Sequence, residues 1–333
     1  MLATSPYAPE LHAFARFGVP QSLRREVWSV CLGLAPSSAA AGHGLEGTGG
    51  RDGSMALQDA ARGVSDWEWL TDDVLRLDVA EHCANDVSYF PFDEIVEAMV
   101  LALSRDSKVM ACCECGPPQI PIVACPETNT AAVQGDGENC GQEQPGLLLV
   151  PPCGVVPFRG FSNYACPFAF LADRLETVYP LFRAFYCRHL CRLHTLSSEP
   201  RTLLQLCALF ESLVGEFAPR ATSHLAQLGR ETAPLRLVFP WIVQGFAGCL
   251  PAEQVLQLWD RVLGFDSVEL VAVLAAAIFC FRSRLALSAT CTEEAQLIFS
   301  DISCLKVMPL LQGFVFAEEL GVGGAWDAPL DAT

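Results

Sequence analysis

The sequence reads as an all-α protein, on three observations. Apolar residues recur at three- and four-residue intervals through most of the chain, no convincing set of alternating strands is visible, and two stretches without a periodic face separate the helical runs. The hydrophobic fraction is 51% against 18% charged residues, enough apolar surface to offset the conformational entropy lost on ordering, so the chain folds.

Each element follows from local spacing. Pro20 and Ser22 precede Leu23, Val27, Val30, Cys31 and Leu34, which line one face of a helix closing near Gly33. Residues 35–65, rich in Ala, Gly and Ser, offer little to bury and predict a flexible loop. Asp93 is placed to cap a helix bearing Ile95, Val96, Met99, Val100 and Leu103. A second flexible insertion is expected over 107–154, because 112–152 mixes Pro, Gly, Asn, Gln and Cys with no periodic face. Further helices are expected at 164–172, 176–193, 201–215, 220–228, 235–249, 252–263, 268–281 and 292–305. Pro180 and Pro240 should mark a first turn or a kink, since proline inside a helix removes a hydrogen bond and clashes with the preceding turn.

Composition excludes several classes. With 21 Lys+Arg against 38 Asp+Glu the net charge is −17 and no basic run occurs, which argues against nucleic acid, whose binding rests on Lys and Arg displacing counterions. The apolar run 270–281 is too short for a span of roughly 20 residues and reads as a buried helix, so no transmembrane segment is expected. Residues 1–17 carry Glu10, His12 and two prolines in place of a basic start and an apolar block, so no secretory signal is expected. Sixteen cysteines in 333 residues fall below the roughly 8 to 10% of a disulfide scaffold. Several of them sit inside helical patterns, which points to a reducing, cytosolic compartment.

The familiar chemical motifs are weak. Gly42-His43-Gly44-Leu45-Glu46-Gly47 fits G-x-G-x-x-G but lacks an entering strand and a leaving helix, and no P-loop motif occurs. Cys112-Cys113-Glu114-Cys115, with Cys125, Cys140 and Cys153, reads either as thiolates around zinc or as ordinary loop thiols. The missing second C-x-x-C favours ordinary thiols, and no metal is expected. Ser303-Cys304-Leu305-Lys306 matches S-x-x-K without its companion motifs, and His82, His189, His194 and His224 show no ligand spacing.

A larger constellation carries more. Gly18-Val19-Pro20-Gln21-Ser22-Leu23-Arg24-Arg25-Glu26-Val27-Trp28 resembles the opening segment of the TBC domain, the all-helical family of Rab GTPase-activating proteins. In the same order, 75–78 with Phe90-Pro91-Phe92 resembles its arginine-finger segment and 158–170 its glutamine-finger segment. Phe239-Pro240-Trp241 and 256–261 resemble its C-terminal blocks. The likeness spans about 16–316 apart from the two insertions, and is greater to the subgroup called member 19 than to better-known members. It implies two helical subdomains, 16–198 carrying both finger positions and 199–316 behind it, with a tail at 317–333.

The resemblance implies catalysis supplied in trans to a Rab-family small GTPase. An arginine neutralises charge on the transferred phosphoryl group and a glutamine orients the attacking water. It also implies no cofactor of the chain's own, GTP and Mg lying on the partner. A role in vesicle trafficking follows, with a cytoplasmic location peripheral to endomembranes and membrane association only indirect, through the GTPase. Both signature side chains are replaced here. In the motif apolar-x-x-Asp-x-x-Arg, Leu75 and Asp78 fit but Glu81 stands at the arginine, while Arg76 lies on another face of a helix. In place of Tyr-x-Gln-Gly stands Pro157-Phe158-Arg159-Gly160. Arg159 is therefore the one catalytic candidate, as a displaced finger whose guanidinium can hold phosphate oxygens; the other reading is that it pairs with a carboxylate or caps a surface loop. The expected GTPase-facing cleft is Asp78, Glu81, Arg159 and Gly160, which requires segments some eighty residues apart to converge. Two functions follow: a GTPase activator with atypical or lost dual-finger catalysis, or a non-catalytic TBC-like interaction module.

Overall fold

The computed structural model describes residues 9–34, 70–83, 90–113, 151–316 and 326, and every regular element among them is helical. The glycine-rich motif at 42–47, the loop 35–65, Cys115, Cys125, Cys140 and nearly all of the tail lie outside the described residues.

The chain enters through α1 (Pro9–Phe17), which the sequence reading did not foresee, and α2 (Gln21–Cys31). Both pack against α10 (Ala252–Phe265), far along the chain. Helix α1 touches α10 almost backbone to backbone: a Cβ on Gly264 would stand 2.6 Å from the Arg16 nitrogen, so only glycine fits there. His12 Nδ1 lies 3.0 Å from the Leu263 carbonyl, and Arg16 Nε donates to that of Gly264 at 3.0 Å.

Helix α2 is fixed by Asp260 of α10, a fully buried carboxylate. It accepts the Val19 N–H at 3.0 Å, Arg24 Nε at 3.1 Å and the Trp28 indole N–H at 2.8 Å. Burial pushes its pKa up and the Arg24 bonds pull it back. Around this carboxylate the rings stack in sequence: Trp28 on Phe185 with centroids 5.1 Å apart, Phe185 on Trp259 at 5.2 Å, and Phe168 edge-on to Trp28 at 5.7 Å.

Helix α3 (Leu70–His82) packs on α4 (Asp93–Arg105), and a buried ion pair joins Asp72 to Arg105. The ends of the second insertion are structured, in contrast to a flexible stretch over the whole of 107–154. Helix α5 (Lys108–Cys112) follows at once, held by Asp106 between Tyr179 and Arg183, and Cys153 donates its N–H to the Ser104 carbonyl at 3.0 Å.

The expected helix at 164–172 is instead a pair of 3-10 turns, Phe161–Tyr164 and Cys166–Phe170. Hydrogen bonds run to the third residue back, as from Ala165 to Ser162 and Leu171 to Phe168, and Pro167 has no N–H to extend an α pattern. Helix α6 (Leu175–Arg188) ends earlier than expected, at His189 with φ of −122°, and a 3-10 turn Leu190–Leu193 follows. Pro180 lies in its second turn, and Pro240 in the second turn of α9, rather than in first turns.

The remaining helices are α7 (Leu203–Phe217), α8 (Pro219–Leu228), α9 (Pro234–Val243), α11 (Glu269–Ala286), α12 (Thr292–Ser300) and α13 (Val307–Val315). Helix α9 stops short of the expected 249 because Gly245 and Phe246 take φ of 55° and 67°, outside right-handed helical space. Helix α12 stops before 305, so Ser303 to Lys306 form a connector and not a helix, and α13 was not anticipated. Helix α11 is the inner layer: Leu274 to Cys280 are all buried, its alanines admit α7 closely, and Phe279 meets Phe210 at 5.9 Å and Phe299 at 5.3 Å. No described helix is long and apolar enough to cross a membrane, and the described cysteines are free thiols.

Two outcomes are expected. Asp260→Ala strands the Arg24 charge in the interior and should lower unfolding free energy by about 3–5 kcal/mol in urea denaturation. His189 is buried, and burial holds its pKa down at about 3. The unfolded chain therefore binds a proton that the folded chain refuses. The stability that neutral His189 contributes is complete above about pH 6.5 and drains away toward pH 3, by up to about 1.4 kcal/mol per pH unit. Urea midpoints measured across that window should fall more gently for His189→Leu than for the native chain.

Candidate functional site

The site grows from one carboxylate. Asp78 faces inward from the third turn of α3, 5% exposed, and its two oxygens accept main-chain N–H groups from a segment eighty residues later: Gly160 at 2.6 Å and Ser162 at 2.7 Å. The Ser162 hydroxyl returns a bond to the Asp78 carbonyl at 3.3 Å, and His82 Nδ1 lies 3.1 Å from Oδ1. Asp78 thus does for the 3-10 turn at 161–164 what a capping side chain does for a helix, satisfying N–H groups that the turn cannot.

One turn beyond Asp78, Glu81 emerges at the surface and its carboxylate is held by the Arg159 guanidinium. That contact keeps the Glu81 carboxyl below the usual carboxylate range. The pair is exposed, 78% for the arginine side chain, so it matters less for stability than for where it puts charge. Asp78, Glu81, Arg159 and Gly160 therefore lie together. Arg76 points elsewhere, to Glu97 at 3.3 Å and Asp73 at 3.6 Å.

Gly160 has φ of 87°, a left-handed backbone that favours glycine, and a Cβ there would stand 2.5 Å from the Gln244 side-chain amide, which would have to move. Gln244, at the C-terminal cap of α9, escaped the sequence reading; no spacing connects positions 160 and 244, and only the fold lays its amide against the glycine. The floor beneath is aromatic. Phe158 packs on Phe161 at 5.5 Å, Tyr164 at 6.0 Å and His194 at 5.3 Å, and the Tyr164 hydroxyl donates to the Val243 carbonyl. Leading to the ion pair, Leu70, Val74 and Leu77 form an exposed apolar line along α3, at the spacing that continues to Glu81.

Chemically the arrangement offers a firm loop, a glycine that allows close backbone approach, a neighbouring amide, and a cation beside an anion. A fully positive spot for a phosphoryl group is not what it presents. Among the described residues no group of His, Cys, Asp or Glu is disposed to hold a metal ion. Of the histidines singled out, His82 bonds to Asp78, His194 lies 2.9 Å from the Tyr186 hydroxyl, and His224 lies 2.8 Å from the Ala289 carbonyl.

Comparison with known proteins gives a consistent picture. Residues 158–286 match the family model of the Rab-GTPase-TBC domain. The chain is 34% identical over 307 residues to the human protein TBC1 domain family member 19, a match that covers 91% of this chain and 53% of that one. It is 33% identical over 96 residues to bovine TBC1 domain family member 7, covering 28% and 32%. The chain thus spans about half the length, or less, of these curated relatives. Among solved structures it is similar to the Chlamydomonas flagellar RabGAP TBC domain, with a TM-score of 0.58 and 16% identity over 94% of this chain and 86% of that one.

Gly160→Ala should cost about 1 kcal/mol or more, because alanine is strained in the left-handed backbone there. Thermal unfolding would register it, and a stability equal to that of the native chain would show that the turn relaxes freely.

Proposed function

We propose, from its likeness to the Rab-GTPase-TBC domain, that the chain engages a Rab-type small GTPase through the face made by α3 and residues 156–164, and that it accelerates GTP hydrolysis weakly or not at all. The observation that carries this reading is the Glu81–Arg159 ion pair. A finger arginine is worth roughly 10³ to 10⁵ in rate because it brings uncompensated positive charge to the transferring phosphoryl group. Here an anion stands at the position where the resemblance implies the cation, and the nearest cation is engaged with that anion. The apolar line of Leu70, Val74 and Leu77 supports a protein partner on this face, since an exposed apolar patch rimmed by charge is the usual mark of such a surface.

Two subdomains, 16–198 and 199–316, remain our division of the chain, with the site in the first and Gln244 reaching it from the second. What GTPase activation remains we assign to Arg159, freed from Glu81 on docking, with Gln244 as the amide nearest to where water would be oriented. GTP and Mg belong to the partner. The second reading, a purely non-catalytic interaction module, draws on the same ion pair and differs only in that residual activity.

Single-turnover GTP hydrolysis by a panel of Rab proteins tests this. We expect GTP-dependent binding with acceleration far below the roughly 10³ of a working finger. Arg159→Ala should remove what acceleration there is, whereas Glu81→Ala should not. The double variant Glu81→Arg with Arg159→Gln, which restores both finger chemistries, should raise turnover at least about tenfold. Strong acceleration that survives Arg159→Ala unchanged overturns the assignment, and failure to bind any Rab overturns the partner.

A further inference from the structure

A second cluster adjoins His194 of the aromatic floor, and its chemistry is independent of the GTPase reading. Cys113 follows α5, while Cys187 and Cys191 sit one turn apart at the end of α6 and in the 3-10 turn after it. The Val109 carbonyl oxygen brings the two segments together: it accepts the Cys113 N–H at 3.0 Å and the Cys187 thiol at 3.8 Å. Cys191 Sγ in turn donates to the Cys187 carbonyl at 3.1 Å. The Cys187 and Cys191 side chains also neighbour that of Cys113. Cys113 is half-buried beside exposed Cys112, whereas Cys187 and Cys191 are buried.

The chemistry of the three is unequal. The neighbouring Cys187 and Cys191 side chains hold Cys113 well below the usual thiol range, at about 4, while the Cys113 contact and burial push Cys187 up. Arg183 also lies close to Cys187 and Cys112. Cys249, by contrast, is raised to about 12 by burial alone and is the inert kind of thiol.

We propose that Cys113 is a peroxide-sensitive modification site that closes onto Cys187 or Cys191 as an intramolecular disulfide. The oxidant is a hydroperoxide. The Cys113 thiolate attacks one oxygen of hydrogen peroxide, the O–O bond breaks, hydroxide leaves, and Cys113 becomes a sulfenic acid. The neighbouring thiol, as its thiolate, then attacks that sulfur; the S–O bond breaks and water leaves with the proton released. Two thiols and one peroxide thus give one disulfide and two waters. Cys191 is bonded to the main chain of Cys187 and both side chains neighbour Cys113, so either can complete the bond. The product would fasten the segment that follows α5 to α6.

The test uses the full chain, reduced and freed of reductant. Iodoacetamide at pH 6 should label Cys113 at least about tenfold faster than exposed Cys304, because only a thiolate alkylates there. Brief hydrogen peroxide treatment followed by alkylation and peptide mass spectrometry should give a Cys113–Cys187 or Cys113–Cys191 cross-link. Cys187→Ser should shift it wholly to Cys191, and Cys113→Ser should abolish it. Because the native chain alone supplies the cross-link map, misfolding of a variant leaves the test intact. Slow labelling of Cys113, its linkage to Cys115, Cys125 or Cys140, or oxidation of Cys304 first would overturn the proposal. Tightly held zinc that is lost in Cys113→Ser would also overturn it.

Discussion

A carboxylate cut off from water persists only where protein donors replace the lost hydration, and Asp260 is the point where this constraint organises the chain. Its donors, the Val19 main chain, the Arg24 guanidinium and the Trp28 indole, come from residues up to 241 positions away. They draw the first helices onto α10, against which the 3-10 turn at 166–170 also packs. Phe168 from that turn rests on Trp28 and Trp259, so the trailing half of the functional loop is anchored by the same arrangement. Asp78 anchors the leading half through Gly160 and Ser162. Both ends of the loop are therefore set by buried aspartates, one on each side.

Between those anchors the surface carries opposed charges. The backbone geometry that would present a finger is maintained by Asp78, a left-handed glycine and an aromatic floor, although the side chains at both finger positions differ from those the resemblance implies. Under the proposed function, rigid presentation with a cancelled charge would serve recognition more than phosphoryl chemistry, because the electrostatic contribution depends on net field at the reacting group, not on the presence of a guanidinium somewhere nearby. The apolar line along α3 gives such recognition something to bury.

Much of this was legible beforehand, for reasons that differ by element. The apolar stripes of α2, α4, α7 and α11 are periodic and unambiguous, so helices were expected there. Where the reading overreached, at 164–172, 176–193 and 235–249, short-range backbone events decided the outcome: Pro167 without an N–H, His189 leaving helical space, and Phe246 at positive φ. Helix α1 was missed because its buried face includes His12 and is completed only by α10. Motif positions group Asp78, Glu81, Arg159 and Gly160, the structure brings these four together, and the alternative that Arg159 pairs with a carboxylate is the contact found. Gln244 had no local signal, since its relation to Gly160 exists only after the chain has folded.

The stack of Trp28, Phe185 and Trp259 has one more consequence. Two indoles are clamped on either side of a single phenyl ring, each with its N–H bonded, one to Asp260 and the other to the Gly245 carbonyl. Chromophores held so rigidly acquire optical asymmetry in the near ultraviolet. Detachment of the first helices would erase that band while far-ultraviolet helicity stays nearly constant, giving the chain a built-in spectroscopic gauge of whether its beginning is seated on its end.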